Sequence, residues 1–280
     1  MTGAVPAGPG TRPEVRPRIR RRTPWPLAAP TVLGLALLVL PLVALLVRSP
    51  WRTLPHVLAQ STVLDALRLS LVCATIATGL ALVLGVPLAW VLARSEARGV
   101  RLLRSVVTLP LVLPPVVGGV ALLFAFGRTG IVGRWLDDWL GVTIPFTTAA
   151  VVLAETFVAM PFLVITVEGA FRTADQGYDE AAATLGASRL TVFRRVTLPL
   201  VRPSLGAGAV LCWARALGEF GATITFAGNL PGVTQTMPLA VYLAMQTDPA
   251  AATALSLVLL LVSVLVLVGL RDRWLSAGAR

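Results

Sequence analysis

The sequence predicts an all-α, polytopic membrane protein with six spanning helices, and three observations carry that prediction. The 280 residues are 56% hydrophobic and 13% charged, with a mean hydropathy of +0.82. The few charges are bunched between apolar stretches of about 20 residues, the length at which a helix crosses roughly 30 Å of hydrocarbon. All 24 basic residues are arginine, and they gather beside those stretches. A net charge of +11 and a pI of about 11.5 would suggest nucleic acid in a soluble chain, but no basic stripe interleaved with aromatics is present, so nucleic acid is not expected as a partner.

Residues 1–25 are rich in Pro, Gly and Arg, lack apolar periodicity and bury too little to offset ordering entropy, so they read as a mobile tail. Residues 26–47 follow as the first span: the run is longer than the apolar core of a signal peptide and ends without a small-residue cleavage site. The next spans fall at 64–93, 103–126, 147–170, 199–226 and 250–270, which makes 26–271 a transmembrane domain followed by a C-terminal tail, 272–280. Pro41, Pro87, Pro110, Pro114, Pro115, Pro161 and the Gly118-Gly119 pair are expected to kink these spans, not to end them, because neighbouring helices in a bilayer re-satisfy freed backbone groups. Cys73 and Cys212 lie inside apolar runs and read as small hydrophobes, with neither metal-ligand spacing nor a disulfide framework. No internal repeat is visible at a fixed period.

Six spans place the N-terminal tail, the second and fourth connections and the C-terminus on one side. That side collects eighteen arginines, against five on the other: Arg48, Arg52, Arg68, Arg128 and Arg134. The positive-inside rule therefore predicts both termini in the cytoplasm.

The fourth connection carries the most information. From Arg172 to Arg195 it is polar and too long for a tight turn, and it should fold outside the lipid. Asp179 is placed to cap a helix beginning at Glu180, the run Glu180-Ala181-Ala182-Ala183 favours helix, Gly186 permits a sharp turn, and Ser188 can cap a second turn through Phe193. Leu185, Leu190, Val192 and Phe193 give it apolar contacts while Arg189, Arg194 and Arg195 stay wet. That is the composition of a docking element or of an interfacial helix.

The spacing of Glu180-Ala181-Ala182, Gly186, Val196 and Leu198-Pro199 resembles the EAA signature of permease subunits of bacterial ABC importers, with Val196 where that family has Ile. The resemblance implies the six-helix transmembrane domain of a type I importer. It makes 179–196 a coupling segment that sits in a groove of a separate ATP-hydrolysing subunit, with Glu180, Ala181, Ala182, Gly186, Arg189, Leu198 and Pro199 as the coupling residues. It also implies two copies of that ATP-binding subunit, a second copy of this chain, an extracytoplasmic substrate-binding protein, and ATP and Mg bound by the partner, with no cofactor or metal in this chain. Leu198-Pro199 would open the fifth span, a first-turn proline losing no needed hydrogen bond.

A second stretch, Arg215-Ala216-Leu217-Gly218-Glu219-Phe220-Gly221-Ala222-Thr223, with 224–232 and 235–238 behind it, resembles the molybdate permeases. Sulfate and thiosulfate permeases share the Gly-Glu-Phe-Gly core and are the alternative; molybdate or tungstate is favoured by 223–232 and 235–238. Read from the residues themselves, Arg215 and Glu219 are four apart and can neutralise each other inside the bundle, where an unpaired charge costs about 2.5 to 3.5 kcal/mol. The pair is either a structural lock or, through Arg215, a contact for the oxyanion. Gly218 and Gly221 permit bending or close helix packing, and Thr223 completes this gate or pathway segment.

The remaining polar residues carry less. His56 is expected near the outer interface, and Glu155 and Glu168, thirteen apart, are too distant for a paired-carboxylate site and suit buried hydrogen bonding. The longest outer connection, 229–248, leaves room for a short helix at 238–246. No Gly-x-x-x-x-Gly-Lys-Ser/Thr motif occurs, and the absence of lysine excludes a disguised one, so ATP hydrolysis is assigned to a partner. A gradient-driven carrier would need buried proton relays, for which only Glu219 with Arg215 qualifies. An intramembrane protease would need a base beside Ser70, Ser204 or Ser256, and His56 is the sole histidine.

Overall fold

The computed structural model describes residues 25–95, 97–175 and 177–275, and among these every regular element is helical. The expected N-terminal tail therefore lies outside the described residues apart from Trp25, as do residues 276–280 of the expected C-terminal tail. The chain divides into two units, residues 1–47 and 48–280. The first is essentially α1 (Trp25–Arg48), a helix that continues through Pro30 and Pro41.

The second unit is built on α3 (Ser61–Arg94), α7 (Thr148–Thr173) and α11 (Arg202–Leu217), preceded by the short α2 (Leu54–Leu58). Alanines fill much of the core between these three long helices, beside larger side chains such as Phe171, Leu92 and Val164. Ala74, Ala77, Ala81 and Ala89 of α3 meet Ala150, Ala154, Ala159 and Leu163 of α7, all fully buried. A Cβ at Gly85 would lie 3.1 Å from both Leu163 Cδ2 and Val164 Cγ2. Without a hydrophobic force between helices in lipid, this close backbone approach is what association draws on. Cys73 and Cys212 are free and buried in the same core. Pro87 and Pro161 lie inside α3 and α7 without ending them, as expected.

Two of the expected continuous spans are broken instead. The third is α4 (Val100–Val112) and α5 (Pro115–Phe126), bent by 118°. Pro110 is accommodated within α4, but Pro114-Pro115 ends it: a residue before proline is driven to extended backbone, and both Leu113 and Pro114 have ψ 133. The short α6 (Gly133–Leu140) leads on to α7. The fifth span is a π turn (Phe193–Thr197), α10 (Leu198–Leu200), α11 and α12 (Gly221–Phe226), with a 74° bend before α11. Leu198-Pro199 thus belongs to a bent approach, and Pro203 occupies the first turn of the long helix. Among the described residues, four helices are long and apolar enough to cross a membrane, or up to six if each bent pair is one span.

The broken pieces lock together. A Cβ at Gly119 of α5 would fall 2.7 Å from Thr225 Cβ and 2.8 Å from the Ala222 carbonyl oxygen; one at Gly221 of α12 would fall 2.8 Å from Pro115 Cβ. The two short helices therefore cross backbone against backbone. α13 (Met237–Thr247) realises the helix expected at 238–246, and Ser70 Oγ of α3 accepts a 2.7 Å bond from the Met237 amide at its start. α14 (Pro249–Leu275) runs four residues into the expected C-terminal tail.

Candidate functional site

The segment after α7 folds as a bent elbow, α8 (Gly177–Thr184) followed by α9 (Arg189–Val192) and the π turn. α8 ends on a Schellman arrangement: Ala187 N donates to Ala182 O at 3.1 Å, Gly186 N donates to Ala183 O at 3.0 Å, and Gly186 has φ +83. Ser188 then caps α9, its hydroxyl accepting from Thr191 N at 3.3 Å. The expected turn at Gly186 and cap at Ser188 are both present.

Asp179 is not the helix cap that its position suggests. α8 already starts at Gly177, which places Asp179 in the first turn with its carboxylate aimed into the protein. Its Oδ2 accepts from Arg94 at 3.0 Å and its Oδ1 accepts from the Thr197 hydroxyl at 2.9 Å.

The apolar residues of the elbow divide between two faces. Val192 is buried, and Phe193 lies against Trp90 at 5.8 Å and Phe171 at 6.2 Å between ring centroids. Glu180 and Arg189 are exposed but line a cavity beneath the elbow, whereas Leu185 and Leu190, 88% and 59% exposed, point outward on its surface, where Ala181 and Gly186 are exposed as well. Ala182, Leu198 and Pro199 are half-buried. The cavity, of about 270 Å³, is also lined by Trp90, Arg94, Asp179, Val192, Phe193 and Thr197 among others.

Deeper in the bundle, Arg215 and Glu219 pair at 2.7 Å. They do not share one helix face as expected, because α11 stops at Leu217 and Glu219 lies in the break. Its 1% exposed carboxylate serves both ends of that break: Oε2 faces Arg215, and Oε1 accepts a 2.8 Å bond from Ala222 N at the start of α12. Arg215 remains 27% exposed. Of the two flanking glycines, only Gly221 is held by close packing; a Cβ at Gly218 would meet nothing nearer than 3.6 Å. Thr223 is fully buried, and its hydroxyl has no partner among the described residues.

The arginine ties across the chain were not foreseen. Glu168 Oε1 accepts from Arg104 at 2.9 Å and faces Arg172 at 3.0 Å, and Arg104 also donates to the Leu92 carbonyl at the end of α3. Arg104 and Arg94 lie 64 and 85 residues from their carboxylates, separations at which no periodicity is informative. Arg172 and Glu168 are four apart, a signal that could have been read. Glu155 departs from the expected buried hydrogen bonding: it is 1% exposed, and its Oε2 has no partner among the described residues. His56 is exposed on α2. Among the described residues, no three His, Cys, Asp or Glu side chains gather to hold a metal.

This all-helical body, with two broken spans and an exposed elbow, shares its fold with the solved membrane chains of bacterial ABC importers. The structure superposes on that of a bacterial ABC transporter involved in the import of the acidic polysaccharide alginate with a TM-score of 0.73, covering 89% of this chain and 95% of that one at 18% identity. Residues 81–277 match the binding-protein-dependent transport system inner membrane component family, and the chain belongs to that family. It is 53% identical over 244 residues to the molybdenum transport system permease protein ModB of Mycobacterium tuberculosis, covering 87% of this chain and 92% of the relative. A probable sulfate transport system permease protein, cysT of Nephroselmis olivacea, is more distant, 34% identical over 264 residues, with 93% and 92% covered.

Proposed function

We propose that this chain is the permease subunit of an ATP-driven importer of molybdate or tungstate, with both termini in the cytoplasm. The observation that carries the reading is the gap between 53% identity to a molybdenum permease and 34% to a sulfate permease over comparable lengths. The 179–196 elbow receives a separate ATP-binding subunit through its exposed residues, Glu180, Ala181, Leu185, Arg189 and Leu190 among them. Two copies of this chain enclose the pathway, each with its own ATP-binding subunit, and ATP and Mg are bound there. A binding protein delivers the anion from outside and sets most of the selectivity, while this chain supplies gates and a positive field suited to a dianion.

Within this reading, Arg215 and Glu219 are a lock. Glu219 is nearly fully enclosed, neutralises Arg215 and caps α12, which favours structure over substrate contact. The test is uptake in proteoliposomes holding the permease, its ATPase and its binding protein, with labelled molybdate competed by tungstate and by sulfate. Competition by tungstate and not by equimolar sulfate supports the assignment; equal competition by sulfate overturns it.

A further inference from the structure

α7 runs directly into the elbow, and the elbow runs directly through the π turn into α11, so any displacement of the elbow reaches those two helices along the main chain. α3 is different. It ends at Arg94, 85 residues before Asp179, and is joined to the elbow along the main chain only through α4 to α7. Yet α3 forms the most extensive helix pair of the fold with α7 and also packs on α11. Its end meets the elbow at two places, Trp90 against Phe193 and Arg94 against Asp179.

We infer that the Arg94–Asp179–Thr197 cluster is a latch that makes the end of α3 move with the elbow, with Asp179 as its positioning residue. One carboxylate joins three segments: Oδ2 takes Arg94 from the last turn of α3, Oδ1 takes Thr197 from the end of the π turn, and Asp179 itself stands in the first turn of α8. Both charges are well enclosed, with 15% of the Arg94 side chain and 24% of the Asp179 side chain exposed, so water screens their attraction little. Arg94 Nε is buried with no acceptor among the described residues, which leaves the guanidinium dependent on Asp179. Thr197 is 1% exposed, and Asp179 is the acceptor its hydroxyl uses. A π turn, whose backbone is wider than an α turn and is found at sites that rearrange, is pinned at its last residue by this bond. The Trp90–Phe193 contact beside it is apolar and nondirectional and can slide, whereas a bond of fixed length at each carboxylate oxygen cannot.

The inference rests on the reading of the elbow as the ATPase contact, and the experiment keeps the two apart. The complex of this chain with its ATPase is purified, reconstituted with the binding protein, and compared for Asp179→Asn, Thr197→Val and the exchange Arg94→Asp with Asp179→Arg. Three quantities are read: ATPase retained on purification, ATP hydrolysed, and molybdate taken up per ATP. Asp179→Asn is expected to retain the ATPase and its hydrolysis while uptake per ATP falls at least about fivefold, the low end of what coupled sites sustain. The exchange re-forms the ion pair but leaves Thr197 without its carboxylate, so it should restore part of the loss, and Thr197→Val, which strands no charge, should show a smaller loss in the same direction even where Asp179→Asn folds poorly. Unchanged uptake per ATP in Asp179→Asn and Thr197→Val overturns the latch. Loss of the ATPase from Asp179→Asn, recovered in the exchange, also overturns it, since the cluster would then serve assembly. Failure of the unmodified chain to retain any ATPase would instead remove the elbow reading itself.

Discussion

Replacing Glu219 by Gln removes the charge that faces Arg215 at 2.7 Å while leaving an amide oxygen to accept from Ala222 N. Removing one partner of a buried pair costs about 3 to 5 kcal/mol, because the other charge stays behind uncompensated. Arg215 is 27% exposed and recovers part of its solvation, which puts Glu219→Gln near the lower limit, about 3 kcal/mol. Glu219→Ala also loses the cap on α12, worth about 1 kcal/mol more. For a chain of this size, about 3 kcal/mol corresponds to a fall of roughly 6 to 12 °C in the unfolding midpoint. The assay is thermal unfolding of the purified complex followed by the fraction remaining monodisperse, with uptake measured in parallel. Arg215→Met combined with Glu219→Gln should recover most of the lost midpoint, since no stranded charge remains, and uptake should recover with it. If the double variant is as unstable as Glu219→Gln alone, the pair is not a lock. If it regains stability but transports nothing, Arg215 touches the anion and the structural assignment is wrong.

Gly186→Ala meets no neighbour but must hold φ +83, a left-handed conformation costing a residue with a Cβ about 1 to 2 kcal/mol; the elbow should loosen and the ATPase retained on purification should fall, without loss of folded permease. Gly119→Ala puts a Cβ within 2.8 Å of the Ala222 carbonyl oxygen, and such overpacking costs about 1 to 3 kcal/mol, read as a lower midpoint; recovery would require α5 and α12 to separate. Glu168→Gln leaves Arg104 and Arg172 without their carboxylate, but at 36% and 49% exposure both regain water and Arg104 keeps the Leu92 carbonyl, so it should destabilise by only about 1 kcal/mol, read as a small fall in the midpoint. Cys73 and Cys212, both fully buried, should resist a maleimide until the protein is denatured; rapid labelling of the native complex would contradict the packing of α3 against α7 and α11.

The elbow was the most legible part of the chain, because its devices are local. A glycine that ends one helix and a serine that begins the next act within four residues, and both operate at Gly186 and Ser188 as read. The pairing of Arg215 with Glu219 was legible from spacing, although it survives for a different reason, one carboxylate bridging a helix break. Asp179 was misread because a capping residue and a buried acceptor have the same chemistry. Which of the two it becomes depends on Arg94 and Thr197 arriving from elsewhere.

What the sequence by itself determined is the solvent and the class of fold: apolar runs of spanning length, most of the charge gathered in the connections, and a polar segment with local helix signals after the fourth run, all properties of composition and short-range spacing. Tertiary structure decided where the pieces of a broken span go. Single prolines, Pro41, Pro87, Pro110 and Pro161 among them, stand inside helices, whereas the Pro114-Pro115 doublet removes two successive amide donors and ends α4; that α5 then turns by 118° to cross α12 is set by the packing of Gly119 and Gly221. It also decided how far-separated charges combine. Arg94 with Asp179 and Arg104 with Glu168 are set by where α3, α4, α7 and α8 end relative to one another, and that depends on small-residue packing summed over the whole bundle, not on any local signal.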